Sequence, residues 1–479
     1  MVVSVPNPLR LLLLWIGNLL AAGGLADRNR MERTVTLSWP RIVTGIARMS
    51  KSAADVAMVG VAVGSAAIAG VGFATPFWAL VFSIGAGVAG GTIGMVSQRY
   101  GAGQSEELRR VVLVSVYIVL IVTIPLSVIY HFYAPELIGL LSAEPEAHAL
   151  GAEYLQVIAL GVPFAALNLV GSRVLIGADD SYIPMVLRVG GAITNLVLNV
   201  VLIFIIGLGV TGAALGTIIG NVLITVGFTV GFLRGGLPFV GEFPVTIDQF
   251  RPLLDKELAR DLVEISTPLA FSNMAGTGAQ FPMLYIVGLF GTEIVAAFVI
   301  ALRVRDLLNT PGWGFSLASS SLVGQELGTG AEQQARAYSR EIIRFAGSVY
   351  MIGATFAFIF AEPIARMFVD DPATLPLAVP FVQVAAVSVI FWGISGASIG
   401  PLQASGDTRW PLYAQLLGRY GVAIPLALLG AVTPLGLIGL YLALLAETVV
   451  PAAVNYYRVQ TERWVCVSRD YRPETSPND

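Results

Sequence analysis

Apolar residues come in runs of roughly 20 along nearly the whole chain, long enough as helix at 1.5 Å per residue to cross ~30 Å of hydrocarbon. Short clusters of Gly, Pro and charge separate them. The pattern predicts twelve spans. Six lie near residues 39–63, 67–97, 110–133, 150–176, 182–206 and 210–233, and six near 261–290, 293–325, 337–361, 375–402, 410–431 and 434–457. The expected fold class is therefore an all-α integral membrane protein. Upstream, "PLRLLLLWIGNLLAAGG" has a small basic flank and an apolar run, as a signal peptide would. No convincing small-x-small cleavage site follows it, and the next segment is the basic "DRNRMERTV". We read it as an interfacial helix lying on the membrane before the first span.

The chain repeats itself. "MVSQRYGAGQSEELRR" matches "SLVGQELGTGAEQQAR", pairing Gln98 with Gln325, Gly101 with Gly328, Gly103 with Gly330 and Arg109 with Arg336, each 227 residues apart. The same offset pairs Asp180 with Asp407 and Pro184 with Pro411, in "GADDSYIP" and "ASGDTRWP". It also pairs Gly209 with Gly436 and Gly212 with Gly439. A register kept without a gap over so long a stretch implies duplication of one six-helix unit. Six is even, so both copies enter from the same side and form a parallel repeat. The expected organisation is an N-terminal segment (1–38), two lobes (39–233 and 261–457), a Gly-, Pro- and charge-rich linker (234–260) and a tail (458–479).

Composition sharpens this picture. The chain has 479 residues, 56% hydrophobic and 12% charged, with a mean hydropathy of +0.77, which fits a polytopic membrane protein rather than soluble domains. A net charge of -3 gives no basic surface for nucleic acid, and none is expected as a partner. The single cysteine, Cys466, excludes an internal disulfide framework, and only two histidines, His131 and His148, are present to serve a metal cluster. Lys and Arg collect in alternate loops, from Arg28, Arg30 and Arg33 through Arg109, Arg110, Arg251 and Lys256 to Arg458 and Arg463. On the opposite side only Arg366 breaks the pattern. The positive-inside rule then puts both termini in the cytoplasm, with the protein in the plasma membrane.

Motifs for enzymes are missing. There is no G-x-x-x-x-G-K-[ST], G-x-S-x-G, H-E-x-x-H or CxxC. The acidic pairs at 179–180 and 370–371 fall in predicted loops. The Gly-rich "GAGVAGGTIGM" reads as close helix packing.

What remains are polar residues inside spans, which are expensive in lipid and usually face the protein interior or a water-filled cavity. In the first copy these are Asp55, one turn after Lys51 in "SKSAADVAMVG", then Asn195 and Asn199 on one helix face, then Thr217. Counted from the outer ends of their spans, Asp55, Asn199 and Thr217 lie at a common depth of roughly 12–14 Å. A carboxylate, two amides and a hydroxyl at one level offer oxygen ligands to a small cation such as Na+, or a protonatable group with hydrogen-bond partners. The offset of 227 turns them into Pro282, Val422, Leu426 and Leu444. A packing role shared by both copies does not predict that loss; the bland alternative is that each polar residue independently satisfies a neighbouring helix.

The second copy has other in-span polar groups. Arg303 and Asp306 are spaced i, i+3 and read as a structural bridge, with a substrate-path role as the alternative; Gln280 and an unpaired Glu447 lie mid-span. Phe73, Trp78, Met95 and Met283 are further candidates for lining a substrate path, against the usual alternative of packing.

On these motifs the chain resembles the multidrug and toxic compound extrusion (MATE) family from Trp39 to about Tyr457. They are "DVAMVG" in helix 1, "SQRYGAG" after helix 2, "GADDSYIP" and "ASGDTRWP" before helices 5 and 11, "NLVLNVVLI" in helix 5 and "GVTGAALGT" opening helix 6. The resemblance implies a V-shaped pair of six-helix lobes exporting amphipathic, often cationic compounds against Na+ or H+. It also implies a cation site at Asp55, Asn195, Asn199 and Thr217, as in the prokaryotic (DinF-like) branch whose site is in the N-terminal lobe. Many members of that branch carry Asp where this chain has Asn199, which leaves one carboxylate instead of two. Helices 7 and 10 lack the acids through which another branch couples.

The expected function is thus a secondary active efflux antiporter, not an enzyme. It should work as a monomer on small organic molecules amid membrane lipid, with no cofactor beyond the coupling ion. The alternatives are a flippase for lipid-linked precursors, which would need a strongly cationic cavity, an integral membrane enzyme, and a passive channel.

Overall fold

Asn7 caps the first helix, its side-chain oxygen accepting from the Leu9 amide at 3.0 Å. This computed structural model describes residues 7–141, 144–247, 255–369 and 374–472; Arg251 and the acidic pair at 370–371 lie outside them. α1 (Pro8–Ala22) buries Leu13, Ile16 and Gly17 and exposes Leu11, Leu12, Trp15 and Leu19. One packed face and one outward apolar face are what an interfacial helix presents.

Eight helices make up the first copy: α2 (Arg28–Val63), α3 (Ser65–Gly101), α4 (Ser105–Phe132), α5 (Ala134–Gly139), α6 (Pro145–Ala159), α7 (Val162–Gly177), α8 (Tyr182–Asn199) and α9 (Gly209–Arg234). A π-helical stretch, Val200–Ile205, prolongs α8. Two short antiparallel strands, β1 (Gly236–Leu237) and β2 (Gly241–Glu242), pair Gly236 with Glu242 in the linker. The second copy follows as α10 (Lys256–Gly278), α11 (Gln280–Gly288), α12 (Thr292–Leu308), α13 (Thr310–Gly328), α14 (Glu332–Ile359), α15 (Ala361–Arg366), α16 (Leu375–Ser405), α17 (Arg409–Leu416), a π-helical Leu417–Ala423, α18 (Ile424–Val432) and α19 (Leu437–Gln460). α20 (Arg463–Tyr471) closes the described chain.

The offset of 227 is visible in the backbone. It maps α3 onto α12 and α13 together, α4 onto α14 and α5 onto α15, residue for residue at their ends. Gly64 and its counterpart Gly291 both take positive φ, 113° and 104°. Side chains are strained there, so both copies keep glycine between two helices that turn sharply into each other.

Eight helices among the described residues are long and apolar enough to cross a membrane, and the α6–α7 pair, bent by 51°, makes a ninth when counted as one span. The other three predicted spans fall on α2, α10–α11 and α12–α13, and each departs from a plain apolar rod. α2 carries Arg41, Arg48, Lys51 and Asp55. α10 gives way to α11 just before Pro282, and α12 to α13 just before Pro311. Proline lacks the amide that would continue the helix, so it ends or restarts the hydrogen-bond ladder. Pro163 stands in the same relation to the α6–α7 bend.

Contacts divide the chain into two compact units, Val43–Ala270 and Met1–Ile42 with Phe271–Asp479. Against the predicted lobes, α2 changes unit after Ile42 and α10 after Ala270, at nearly equivalent points of the two copies. The first unit packs Ala74, Val81, Tyr130, Leu155 and Ile158 around α3, α4 and α6. In the second, Phe298, Phe381, Val382, Leu440 and Leu444 form a core joining α12, α16 and α19.

Candidate functional site: a half-buried Lys–Asp pair beside two asparagines

Within the unit Val43–Ala270, α2, α8 and α9 bring the predicted polar residues together. Asp55 accepts a hydrogen bond from Asn199 Nδ2 at 2.7 Å. Asn195 Nδ2 reaches Asn199 Oδ1 at 3.4 Å and Thr217 Oγ1 at 3.3 Å. Both asparagines are completely buried. Asn195 Oδ1 has no hydrogen-bond partner among the described residues, so the cluster keeps one free acceptor. Half-buried Tyr154, on α6, lies within electrostatic reach of Asp55.

A fifth member was in plain view in the sequence but not placed in the site. Lys51 Nζ lies 2.6 Å from the second Asp55 oxygen, one turn along α2, and 3.3 Å from Thr217 Oγ1. The carboxylate side chain is 18% exposed. The lysine ammonium is therefore tethered against the one acid of the cluster. Gly216 makes the approach of α9 possible, since a Cβ there would stand 2.0 Å from Asn199 Oδ1.

The second copy shows what the same frame does without polar residues. At the equivalent positions Leu444 is buried in the apolar core of the other unit, with Val422 and Leu426 packed against it. That unit builds a different cluster. Glu447 on α19 bridges Arg305 Nη1 of α12 and Arg419 Nη2 of the π-helical stretch, each at 2.9 Å. Arg419 also donates to the Gly276 carbonyl, and the Arg305 guanidinium stacks 4.8 Å over the Trp392 ring.

Two expectations are corrected here. Arg303 and Asp306 are both exposed and form no ion pair with each other; Arg305 between them points into the packing instead. Glu447 is not unpaired, because the π-helical turn carries Arg419 to its free oxygen. Gln280 and Met283 do face an opening: with Arg305, Arg419 and Glu447 they line a pocket with about 400 Å³ of empty space. Phe73 and Trp78 pack against the α3–α4–α6 core, and Met95 is buried at 2% exposure.

The MatE family profile matches residues 40–201 and 268–429, once on each copy. The chain belongs to the MATE family. It is 28% identical over 464 residues to a probable multidrug resistance protein NorM of Rhodopseudomonas palustris, covering 92% of this chain and 95% of the relative. It is 24% identical over 409 residues to the multidrug resistance protein PmpM of Pseudomonas aeruginosa, covering 84% of each. Among solved structures, a mutant of the Vibrio cholerae MATE transporter VcmN superposes with a TM-score of 0.83 at 20% identity, over 94% of this chain and 98% of that one. A MATE protein in its bent conformation gives 0.81 at 23%, over 92% and 97%. These likenesses show the fold: twelve helices in two six-helix lobes of a multi-pass membrane transporter. The relatives are named as multidrug resistance proteins, which are transporters and not enzymes.

In this MATE chain the polar set stood out because each member interrupts an apolar run. Gly216 and the π-helical stretches had no such signal. Lys51 had one, the i, i+4 spacing that lets a lysine reach a carboxylate on the same helix face.

Proposed function

We propose that this MATE protein is a secondary active efflux antiporter of the N-terminal-lobe branch, exporting small organic compounds across the plasma membrane with both termini cytoplasmic. Asp55 couples the exchange by alternating between an ionised and an ion-bound state. The observation that carries this reading is the convergence of Asp55, Asn195, Asn199 and Thr217 in one copy, at positions the other copy fills with hydrocarbon. A half-buried carboxylate with a free neighbouring acceptor is a group whose protonation changes its partners. Protonated, Asp55 no longer holds Lys51 by charge, and the hydrogen bond it accepts from Asn199 loses its charge assistance, which loosens α2 against α8.

Lys51 favours H+ over Na+ as the coupling ion. A sodium ion at the carboxylate would stand about 4 Å from the ammonium, a repulsion of roughly 4 kcal/mol at an effective dielectric constant of 20. A proton neutralises the same carboxylate and adds no second cation. An ion shifts a conformational equilibrium only by its differential affinity for the two states, and here the proton has that difference through the weakened Asp55–Asn199 contact between α2 and α8.

The experiment is efflux of a panel of fluorescent amphiphiles from proteoliposomes, driven by an inward gradient of either H+ or Na+. Wild type should respond to the pH gradient and be indifferent to Na+. Lys51→Gln should acquire stimulation by Na+ of several-fold. Na+-driven transport in wild type would contradict the assignment.

A further inference from the structure

A second polar layer, built on two arginines, lies deeper in the same unit. Arg173 on α7 is 6% exposed, and its Nη1 is buried with no hydrogen-bond partner among the described residues. Arg188 on α8 gives Nη2 to the Asn168 carbonyl at 2.9 Å and leaves Nε buried and unpartnered. Arg48 on α2, exposed and stacked 5.0 Å over Phe82, completes the group. Arg173 lies within electrostatic reach of both other arginines and Arg188 within reach of Arg48, and no carboxylate among the described residues acts on Arg173 or Arg188.

Arg48 and Asp55 are seven residues apart, as are Arg188 and Asn195. Two turns of helix thus put the arginines on the same faces as the Asp55 cluster, roughly 10 Å away along the axis. Asp55 does not cancel them, because its charge is taken by Lys51.

The other unit shows what is missing. There Arg305 and Arg419 are also buried in the span region, but Glu447 sits between them and neutralises both through their Nη groups, although each keeps a buried Nε without a partner. A guanidinium taken out of water needs a carboxylate or its equivalent, and an uncompensated one is costly enough that its persistence points to a role outside folding. We propose that Arg173, Arg188 and Arg48 form the subsite for the anionic group of the transported compound, a carboxylate or phosphate on an amphipathic molecule. Arginine suits this role because its planar fork pairs with both groups in bidentate fashion. The inference rests on the antiporter reading only for the driving force of transport. It replaces the cationic substrates that the family resemblance implied with anionic or zwitterionic ones, and it supplies the cationic lining that the flippase alternative required.

The test begins with binding, measured on the full-length protein in detergent at fixed pH. Wild type should bind carboxyfluorescein at least tenfold more tightly than the cationic dye rhodamine 6G. Arg173→Met and Arg188→Gln should each weaken carboxyfluorescein binding at least tenfold. The melting temperature of Arg173→Met should not fall, because the substitution removes an unpaired buried charge. Equal binding of the two dyes, or retention of wild-type affinity by both variants, would overturn the proposal.

A second arm uses proteoliposomes to identify the source of the anion, comparing export of carboxyfluorescein with transbilayer movement of NBD-phosphatidylglycerol. Arg173-dependent movement of the dye assigns a free organic anion, and of the lipid a lipid headgroup. Absence of Arg173 dependence in both overturns the subsite. Arg173-dependent binding without any gradient-driven transport supports the subsite and contradicts the antiporter.

Discussion

Gly216 is a position where one methyl group reports on the whole candidate site. A Cβ there collides with Asn199 Oδ1 at 2.0 Å, and Asn199 is the residue that donates to Asp55. Gly216→Ala should push Asn199 out of reach and reduce gradient-driven efflux at least tenfold. A melting temperature a few degrees lower is expected from overpacking, and unchanged efflux in a folded variant would show that the Asn199 contact is dispensable. At this scale the sequence was informative where chemistry interrupts hydrocarbon: Asp55, Asn195, Asn199 and Thr217 are polar letters in apolar runs, and the structure joins all four. It was silent where the information is rotational. Arg303, Arg305 and Asp306 follow one another closely, and only the packing of α12 decides that Arg305 turns inward while its neighbours remain exposed. Arg173 and Arg188 lie near helix ends, where a linear reading assigns arginines to the cytoplasmic surface.

Among elements, the two π-helical stretches matter most. One begins directly after Asn199 and the other contains Arg419, so each unit places its wider turn beside its buried polar cluster. They are not repeat equivalents, being offset by other than 227 residues. Such stretches often accompany functional sites because they rotate a side chain away from regular helical phase. Hydrophobic periodicity cannot reveal them, whereas the broken helices were foreshadowed by Pro163, Pro282 and Pro311. Glu447 tests the second cluster, since its carboxylate bridges Arg305 of α12 and Arg419 of the π-helical turn. Glu447→Gln should leave two guanidinium groups facing each other and cost about 3–5 kcal/mol, the usual penalty for breaking a buried pair. Thermal unfolding of the purified protein would read this directly; an unchanged melting temperature would mean that the pocket solvates the arginines.

The whole molecule is one helical plan used twice and specialised differently each time. Helix ends and glycine conformations coincide at an offset of 227 residues, and for that reason the duplicated architecture was legible before any coordinate. Function has diverged beneath the shared backbone. One unit holds a polar cluster with a single carboxylate and its tethered lysine, together with Arg173 and Arg188 on which no carboxylate of the described residues acts, and the other a closed Arg–Glu–Arg bridge. The proposed carrier couples to an ion through only one half, with Asp55 as its pivot. The most direct test is substrate efflux from proteoliposomes under an inward pH gradient in Na+-free buffer, comparing wild type with Asp55→Asn. The account predicts rapid gradient-driven efflux in wild type and loss of gradient response in Asp55→Asn, with substrate binding retained. Efflux by Asp55→Asn that still follows the pH gradient at the wild-type rate would contradict it.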